Sequence, residues 1–273
     1  MDIKLVAFDL DGTMLNGKKK VSERNLKALQ ECVRRGIYIV PATGRTIEGI
    51  PAEIKNLPGF RYVITLNGGI VLDAQDSVII DEHRLDQGIS LEILNFVSEY
   101  HVMYDAYVSG IGISESRFYD NLDEYRVPKE VQKMVKATRN VVPSIKEYVR
   151  TSPVPIEKIN LFFDNQIDRE EMRRALNRRG DVIVSSSMAN NLEINAIGAT
   201  KGEGLTRLAE YLGLAMEETM ALGDGENDFN MIRMAGLGVA MANGEEQLKK
   251  LADYVTENNE EDGAAKAIER FVL

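Results

Sequence analysis

Short β-rich segments alternate with helix-length amphipathic segments at both ends of this chain, and this alternation restricts the fold more than any other feature. Near the N-terminus, "KLVAFDL" precedes an amphipathic stretch from Ser22 to Arg35, which is followed by "IYIVPAT", a second helical stretch and "YVITLNGG". Segments of these types in this order predict βαβ units and a parallel sheet.

The same alternation returns near the C-terminus. A predicted helix from Lys201 to Leu212 ends at Gly213, "ETMALGDGEND" predicts a strand, a loop and a helix, and "GLGVAMANG" and "ADYVTE" predict further strands. We therefore predict that the two ends form one α/β domain with a doubly wound parallel sheet.

The middle of the chain has a different pattern. Hairpin-like runs, "IVLDAQDSVII" and "HVMYDAYVSGIGISESRFY", are followed by predicted helices around residues 119 to 150. This pattern predicts an inserted α+β domain. We place the core at residues 1–82 and 188–273 and the insert at residues 83–187, and both lengths are ordinary for domains.

Composition and charge argue against several classes of binding partner. The chain has 273 residues, a formal net charge of -10 and one cysteine, and its cations are scattered among acids. It therefore lacks the basic patch that nucleic acid requires and cannot form an internal disulfide. No apolar run approaches the roughly 18 residues of a membrane span, and the first apolar run follows no basic region and is cut short by Asp9. We expect a cytoplasmic protein, a monomer or small homo-oligomer, with no nucleic-acid or membrane partner.

Two acidic clusters follow predicted strands. Asp9 and Asp11 end the first strand, and "GDGEND" contributes Asp224 and Asp228 after a later one. Ligands of open α/β sheets bind beyond the carboxyl ends of the strands, so these acids are expected to converge. Converging carboxylates repel one another and need protons or a cation, and Mg²⁺ prefers such oxygen ligands. Either cluster alone is also typical of solvated turn residues.

Two further motifs fit an anion that would accompany the metal. In "PATGR", Thr43 and Gly44 follow the second strand and precede a predicted helix, where a hydroxyl and free N–H groups can bind phosphate. Lys201 opens a helix, which is unfavourable for a cation on dipole grounds unless it has a function. Each motif also has a plain alternative, an ordinary turn for the first and a surface lysine for the second.

Taken in order, "DLDGT", "ATGR", Lys201 and "GDGEND" resemble the four motifs of the haloacid dehalogenase superfamily of phosphohydrolases. The long insert resembles the C2-type cap, and "NGG" from Asn67 to Gly69 is similar to the Cof-type subfamily of class IIB. The resemblance spans nearly the whole chain. It implies a Rossmann-like core, a cap that governs substrate specificity, and a phosphatase that acts on small phosphorylated metabolites such as sugar phosphates.

The resemblance also implies roles for individual residues. Asp9 would be the nucleophile that forms an aspartyl-phosphate, and Asp11 the general acid and base. Mg²⁺ would bind the Asp9 carboxylate, the Asp11 backbone carbonyl and Asp224, with Asp228 beside these ligands. The implied phosphate-binding groups are Thr43, the Gly44 N–H, Lys201, Asn227 and the backbone at Leu10. Substrate contacts are suggested for Arg45 and Asn67, although surface or structural roles are equally open for both.

Several alternatives remain at this stage. A phosphotransferase such as a sugar phosphomutase would use the same motifs. A non-enzymatic phospho-acceptor switch would also use an aspartate, magnesium and a lysine, but it has no need for the second acid or the insert. A non-catalytic relative is disfavoured by the intact Asp9, Asp11 and Lys201. Four residues of the insert could face the site, although packing or solvated roles are expected for each: His101, Tyr104, Arg117 and Lys158.

Overall fold

The structure is a computed structural model that describes residues 2–125 and 127–273. Contacts within the chain divide it into two units. The core unit contains the residues up to Glu82 together with Ala199–Leu273, and the inserted unit contains His83–Gly198. Each unit has hydrophobic cores built only from its own residues, so each has the packing expected of a domain.

The secondary structure comprises fourteen strands and eleven α-helices among the described residues. The strands are β1 Leu5–Phe8, β2 Tyr38–Pro41, β3 Tyr62–Thr65, β4 Ile70–Asp73, β5 Val78–Glu82, β6 Met103–Val108, β7 Ile111–Glu115, β8 Arg139–Val142, β9 Lys158–Phe162, β10 Val182–Ser185, β11 Asn191–Ala196, β12 Thr219–Gly223, β13 Leu237–Ala240 and β14 Tyr254–Val255. The helices are α1 Glu23–Arg34, α2 Ala52–Lys55, α3 Gln87–Val97, α4 Ser116–Asp120, α5 Lys129–Thr138, α6 Ile145–Thr151, α7 Gln166–Asn177, α8 Lys201–Leu212, α9 Phe229–Met234, α10 Glu246–Leu251 and α11 Gly263–Phe271. Within the described ranges, no helix is both long enough and apolar enough to cross a bilayer.

Five parallel strands form the main sheet of the core unit, in the order β14-β13-β12-β1-β2. In β1 every residue is buried, because alternate side chains enter two different hydrophobic clusters on the two faces of the sheet. A strand covered on both faces has no polar alternation, which explains the unbroken apolar run in the sequence. The expected α/β core with a parallel sheet and an α+β insert is confirmed.

Helix ends in the core unit follow the expected capping chemistry. The Ser22 hydroxyl accepts a hydrogen bond from the Asn25 N–H at the start of α1. At the start of α8, the Thr200 hydroxyl accepts from the Glu203 N–H, and Gly213 ends the helix with φ +70°. The Thr200 cap makes Lys201 the first residue of α8.

Three features of the core unit and the insert differ from expectation. The segment after β2 contains a 3₁₀ turn at Ile47–Gly49 and the short α2, where a longer helix is expected. β3 pairs antiparallel with β4, because the "NGG" turn between them reverses the chain. Among the described residues, β3 joins the main sheet only through an isolated bridge. The predicted helical region around residues 119 to 150 is interrupted by β8, which pairs parallel with β7.

The second boundary between the units also lies later than the sequence suggests. The core unit resumes at Ala199, whereas the sequence places the change near residue 188. The intervening β11 pairs with β9 and β10 and therefore belongs to the inserted unit. Its sequence, "NLEINA", alternates polar and apolar residues. This alternation is typical of a strand but does not show to which of the two sheets the strand belongs.

The inserted unit is built on a six-stranded sheet in the order β10-β11-β9-β6-β7-β8. Residues of α3, α6 and α7 share one hydrophobic core with alternate residues of the central strands, including Tyr104 and Ala106 of β6 and Ile159 and Leu161 of β9. The remaining positions of these strands are largely polar, so one face of the sheet is apolar and the other is polar.

Candidate active site

Three acids meet at the carboxyl ends of β1 and β12. These strands are parallel neighbours, and Asp9 and Asp224 are the residues that follow them. Asp228 comes from the 3₁₀ turn after β12. Each of the three offers a carboxylate oxygen, and these oxygens lie within 4.8 Å of one another. Parallel pairing therefore brings together acids that are more than 200 positions apart in the sequence.

Lys201 supplies a buried cation to this cluster. Its Nζ lies 2.6 Å from Asp9 Oδ1 and 2.7 Å from Asp228 Oδ1, and its side chain is fully buried. The alternative of a surface lysine is therefore wrong. Contact with two carboxylates outweighs the unfavourable position at a helix N-terminus, which is worth only about 0.3–1 kcal/mol at the surface.

The turn after β1 fits closely around Asp224. Gly12 has φ +84°, and a Cβ placed on it would lie 2.2 Å from Asp224 Oδ2, so no larger residue fits without displacing that carboxylate. The Thr13 hydroxyl donates to Asp224 Oδ1 at 2.7 Å. Sequence reasoning did not assign Thr13 to the site, although it belongs to the "DLDGT" motif.

Asp228 is held by the backbone of its own loop. Its Oδ2 accepts hydrogen bonds from the N–H groups of Asp224 at 2.9 Å and Gly225 at 3.0 Å. Its Oδ1 accepts from Lys201. Both oxygens therefore have protein donors, which fixes the carboxylate and orients the start of the loop that carries Asp224.

The acids of this cluster carry more negative charge than the protein balances locally. Burial raises the pKa of Asp9 well above its usual range, against the lowering effect of Lys201, and the neighbouring acids raise it further. Burial and the charge of Asp228 raise the pKa of Asp224 to about 7, although the Thr13 hydrogen bond lowers it. Three carboxylates and one ammonium leave two formal negative charges, which a divalent cation would neutralise.

Asp11 has the opposite environment. Arg45 donates Nε to Asp11 Oδ2 and an η nitrogen to Oδ1, both at 2.7 Å, and Lys19 Nζ donates to Oδ1 at 2.7 Å. Burial would raise the pKa of Asp11, but these hydrogen bonds and charges lower it to about 2. No motif in the sequence points to Lys19, which lies in an exposed loop with φ +59°.

The remaining predicted residues lie close by in the core unit. Thr43 is buried, and its Oγ1 accepts from the Arg45 N–H at 3.2 Å. Asn227 donates from Nδ2 to Asn67 Oδ1 at 3.0 Å, and Asn67 donates its N–H to the Thr43 carbonyl at 3.0 Å. Leu10 is buried and its carbonyl accepts from the Leu15 N–H at 2.8 Å.

The "NGG" turn connects this group to α8. Gly68 has φ +94°, and a Cβ on it would lie 2.0 Å from the Thr200 carbonyl oxygen. The turn therefore packs directly against the residue that caps α8 and precedes Lys201. The helix expected after Thr43 and Gly44 is the short α2, and a 3₁₀ turn at Ile47–Gly49 comes before it.

The four residues considered in the insert make contacts within the inserted unit. His101 stacks on Tyr125, with ring centroids 4.7 Å apart. Arg117 donates to the Tyr104 hydroxyl at 2.8 Å, and Lys158 is buried with its Nζ 2.8 Å from Glu193 Oε1.

Comparison with known proteins agrees with this geometry. The family model for haloacid dehalogenase-like hydrolases matches residues 6–268. The 5-amino-6-(5-phospho-D-ribitylamino)uracil phosphatase YcsE of Bacillus subtilis is 31% identical over 276 residues, covering 100% of this chain and 97% of that protein. A haloacid dehalogenase-like hydrolase from B. subtilis has a similar structure, with a TM-score of 0.89 and 29% identity over 99% of this chain and 100% of the other. A sugar phosphatase of subclass IIB gives a TM-score of 0.81 at 25% identity and 98% coverage of both chains.

These findings define a class of phosphoryl-processing enzymes with an acidic site at the end of a parallel sheet. The chain belongs to the haloacid dehalogenase-like hydrolases. It is an enzyme of the phosphatase type, and its identification as a Cof-type member is confirmed.

Proposed function

We propose that the protein is a Mg²⁺-dependent phosphatase that hydrolyses phosphomonoesters of small metabolites through an aspartyl-phosphate. The observation that carries the proposal is the buried cluster of Asp9, Lys201, Asp224 and Asp228. It combines a nucleophile, a fixed cation and an excess of two negative charges in the position where α/β sheets bind their ligands.

The residues present suit magnesium. Asp9 and Asp224 would hold the ion through carboxylate oxygens and Asp11 through its backbone carbonyl, with Asp228 orienting the Asp224 loop. Bound there, Mg²⁺ would neutralise charge on the acids and on the phosphoryl group. The raised pKa values of Asp9 and Asp224 support this assignment, because the cluster would otherwise retain protons near neutral pH.

The proposed reaction has two displacements at phosphorus. An Asp9 oxygen attacks, the P–O bond to the alcohol breaks, and the leaving oxygen takes a proton from Asp11. Water then attacks the aspartyl-phosphate, Asp11 accepts its proton, and the Asp9–phosphorus bond breaks to release phosphate. Two neighbouring carboxyl groups can divide these roles when their environments differ.

Asp11 must therefore change its protonation during the cycle. Arg45 and Lys19 hold it ionised in the free enzyme, which is the state that suits proton removal from water. For the first displacement we propose that substrate binding draws Arg45 away from Asp11 toward the substrate, so that Asp11 can carry a proton. This is consistent with the substrate contact suggested for Arg45.

The phosphoryl oxygens would be held by groups around the cluster. Thr43, the Gly44 N–H, Lys201, Asn227 and the backbone at Leu10 are the proposed set. Fixed donors at the positions where charge develops account for most of the rate in this type of chemistry.

The substrates we propose are sugar phosphates and phosphorylated polyols. One relative is named for a phosphorylated ribitylamino compound, and one structural neighbour is a sugar phosphatase. Both names describe hydroxylated phosphomonoesters, which supports the same chemical class for this chain.

Phosphate release from a panel of phosphomonoesters tests this function. The panel contains p-nitrophenyl phosphate, pentose and hexose phosphates, polyol phosphates and 5-amino-6-(5-phospho-D-ribitylamino)uracil, each with Mg²⁺ and with chelator. We expect Mg²⁺-dependent release that falls by roughly 10³-fold or more in Asp9→Asn, as for other lost nucleophiles. Asp2→Asn, an exposed acid, is the matched control. Release that persists in chelator or in Asp9→Asn would contradict the proposal, and isomerised sugar phosphate without free phosphate would indicate a phosphomutase.

A further inference from the structure

Three asparagine side chains hold the turn that follows β1. We call residues 12–15 the β1 turn. Three of its carbonyl groups accept hydrogen bonds from asparagine amides: Gly12 from Asn243 at 2.8 Å, Met14 from Asn25 at 3.2 Å and Leu15 from Asn259 at 2.8 Å. All six residues belong to the core unit, so the arrangement can be described within that unit alone.

The oxygens of two of these amides accept from the C-terminal segment, residues 243–265. Asn25 Oδ1 accepts from the Ala265 N–H at 2.9 Å, and Asn243 Oδ1 accepts from the Asn259 N–H at 3.0 Å. An asparagine amide both donates and accepts, so one side chain can join two stretches of backbone. The β1 turn is therefore attached to the C-terminal segment at several points.

The loop that carries Asn243 also contacts the backbone of Asp224. The Glu245 N–H donates to the Asp224 carbonyl at 2.9 Å, and a Cβ placed on Gly244 would lie 2.9 Å from the same oxygen. From this loop, the Asn243 side chain reaches the Gly12 carbonyl. One loop therefore fixes the distance between the backbone of Asp224 and the β1 turn.

The carboxylate of Asp224 depends on the position of the β1 turn. The Thr13 hydroxyl donates to Asp224 Oδ1 at 2.7 Å, and the Gly12 backbone packs against Oδ2. A displacement of the turn by about 1 Å would lengthen the Thr13 hydrogen bond beyond the usual range of about 2.5–3.0 Å. The groups that fix the turn therefore also fix the orientation of this carboxylate.

We propose that Asn243 and Asn259 are positioning residues for magnesium binding. They hold the β1 turn so that Thr13 keeps the Asp224 carboxylate in the orientation that binds the ion. The inference rests on the proposed function, which assigns Mg²⁺ to Asp224. Asn25 makes the same kind of contact but is buried, so its replacement would also leave buried backbone groups without a partner. Asn243 and Asn259 are less buried and are therefore the members to test.

The test is Mg²⁺ titrated into the metal-free protein at pH 8 and followed by isothermal titration calorimetry. We expect Asn243→Ala and Asn259→Ala each to raise Kd for Mg²⁺ by about 3- to 10-fold, the effect of one lost hydrogen bond. The matched control is Thr256→Val, which removes a hydrogen bond to the Gly263 carbonyl, 2.7 Å long, within the C-terminal segment itself. This control should lower the melting temperature in chelator and leave Kd unchanged.

A double-mutant cycle with Thr13→Val shows whether the effect passes through Thr13. Thr13→Val alone should weaken Mg²⁺ binding. Adding Asn243→Ala should then raise Kd by less than about twofold more, because the contact that Asn243 supports is already lost. Effects that multiply in the double variant would overturn the inference, since Asn243 would then act by another route.

Two other results would overturn the inference. One is an unchanged Kd in both asparagine variants. The other is an equal rise in Kd for Thr256→Val, which would mean that lost stability alone weakens binding. Phosphate release tests the proposed function separately. If the wild type binds Mg²⁺ but releases no phosphate from the panel, the phosphatase function fails and the calorimetry still decides the inference. If the wild type binds no Mg²⁺, the inference is overturned whether or not phosphate is released.

Discussion

Asp9 and Asp11 are two positions apart in the sequence, yet their surroundings are opposite. Asp9 is buried beside other acids and contacts one cation, whereas Asp11 contacts two cations. Identical side chains therefore have pKa values shifted in opposite directions, which allows one to act as nucleophile and the other as proton carrier.

Asp11→Asn should affect substrates according to their leaving group. An alkoxide needs a proton as it leaves, whereas p-nitrophenolate does not, so we expect kcat for a sugar phosphate to fall roughly 10²- to 10⁴-fold and kcat for p-nitrophenyl phosphate to fall much less. Steady-state kinetics on both substrates measures the difference. Equal losses would argue against an acid role for Asp11.

The metal-free protein should become less stable as pH rises from about 5 to about 8. The pKa of Asp224 is about 7 in the folded state and about 3.9 in an unfolded chain, so between these values only the folded state retains the proton. Stability then decreases with pH, because the unfolded state binds fewer protons. Thermal unfolding in chelator across this range measures the trend.

Magnesium should oppose this trend, since it replaces the protons on the same carboxylates. We expect the rise in melting temperature caused by Mg²⁺ to be larger at pH 8 than at pH 5. Asp224→Asn should weaken both effects. A melting temperature that is independent of pH in chelator would contradict the assignment of Asp224.

At the scale of elements, the site depends on turns that allow strand ends to approach each other. Gly12 and Gly36 both have positive φ, +84° and +76°, but only Gly12 is packed against another group. Substitutions at the two glycines therefore distinguish the cost of the left-handed backbone conformation from the cost of a steric clash.

Gly12→Ala should abolish activity and weaken magnesium binding, because its Cβ would displace the Asp224 carboxylate. Gly36→Ala should cost only about 1–2 kcal/mol of stability, the penalty for a left-handed conformation, with activity retained. Phosphate release and thermal unfolding of both variants measure this contrast. Similar losses of activity in the two would show that strain alone, rather than the contact with Asp224, explains the effect.

The sequence predicts the strands and helices well where the local residue pattern agrees with the topology of the sheet. Strand-terminating acids, the caps of α1 and α8 and the parallel core follow from local chemistry and from the rule that parallel strands end at the same edge. Lys19 could not be predicted, because its role depends on how a polar loop folds back onto Asp11. β8 was missed because "RNVV" is too short to interrupt a helical pattern, and its pairing with β7 is set by tertiary contacts.

At the scale of the whole molecule, the two units do not share hydrophobic core residues. The clusters of the core unit use only residues before 83 and after 198, and that of the inserted unit only residues between them. In the core unit, Arg207 of α8 forms an ion pair with Asp81 of β5 at 3.2 Å. The two chain ends that flank the insert are therefore held near each other by the core unit itself.

Replacing residues 83–198 with a short Gly/Ser linker should leave a folded core unit. We expect one cooperative thermal transition and a melting temperature that Mg²⁺ raises, because the acids and Lys201 all remain. Circular dichroism in Mg²⁺ and in chelator measures both properties. The same deletion carrying Asp9→Asn is the control and should lose most of the magnesium effect. A deletion protein without a cooperative transition would show that the core requires the insert.

The position of β1 between β2 and β12 has a consequence for synthesis on the ribosome. β2 follows β1 within forty residues, but β12 begins at Thr219. At a synthesis rate of about 5–20 residues per second, the edge of β1 that pairs with β12 therefore stays unpaired for roughly ten to forty seconds. The inserted unit, which is continuous in sequence, can fold during that interval. Cells that make this protein must therefore shield the nascent β1 edge from aggregation until the last fifth of the chain emerges.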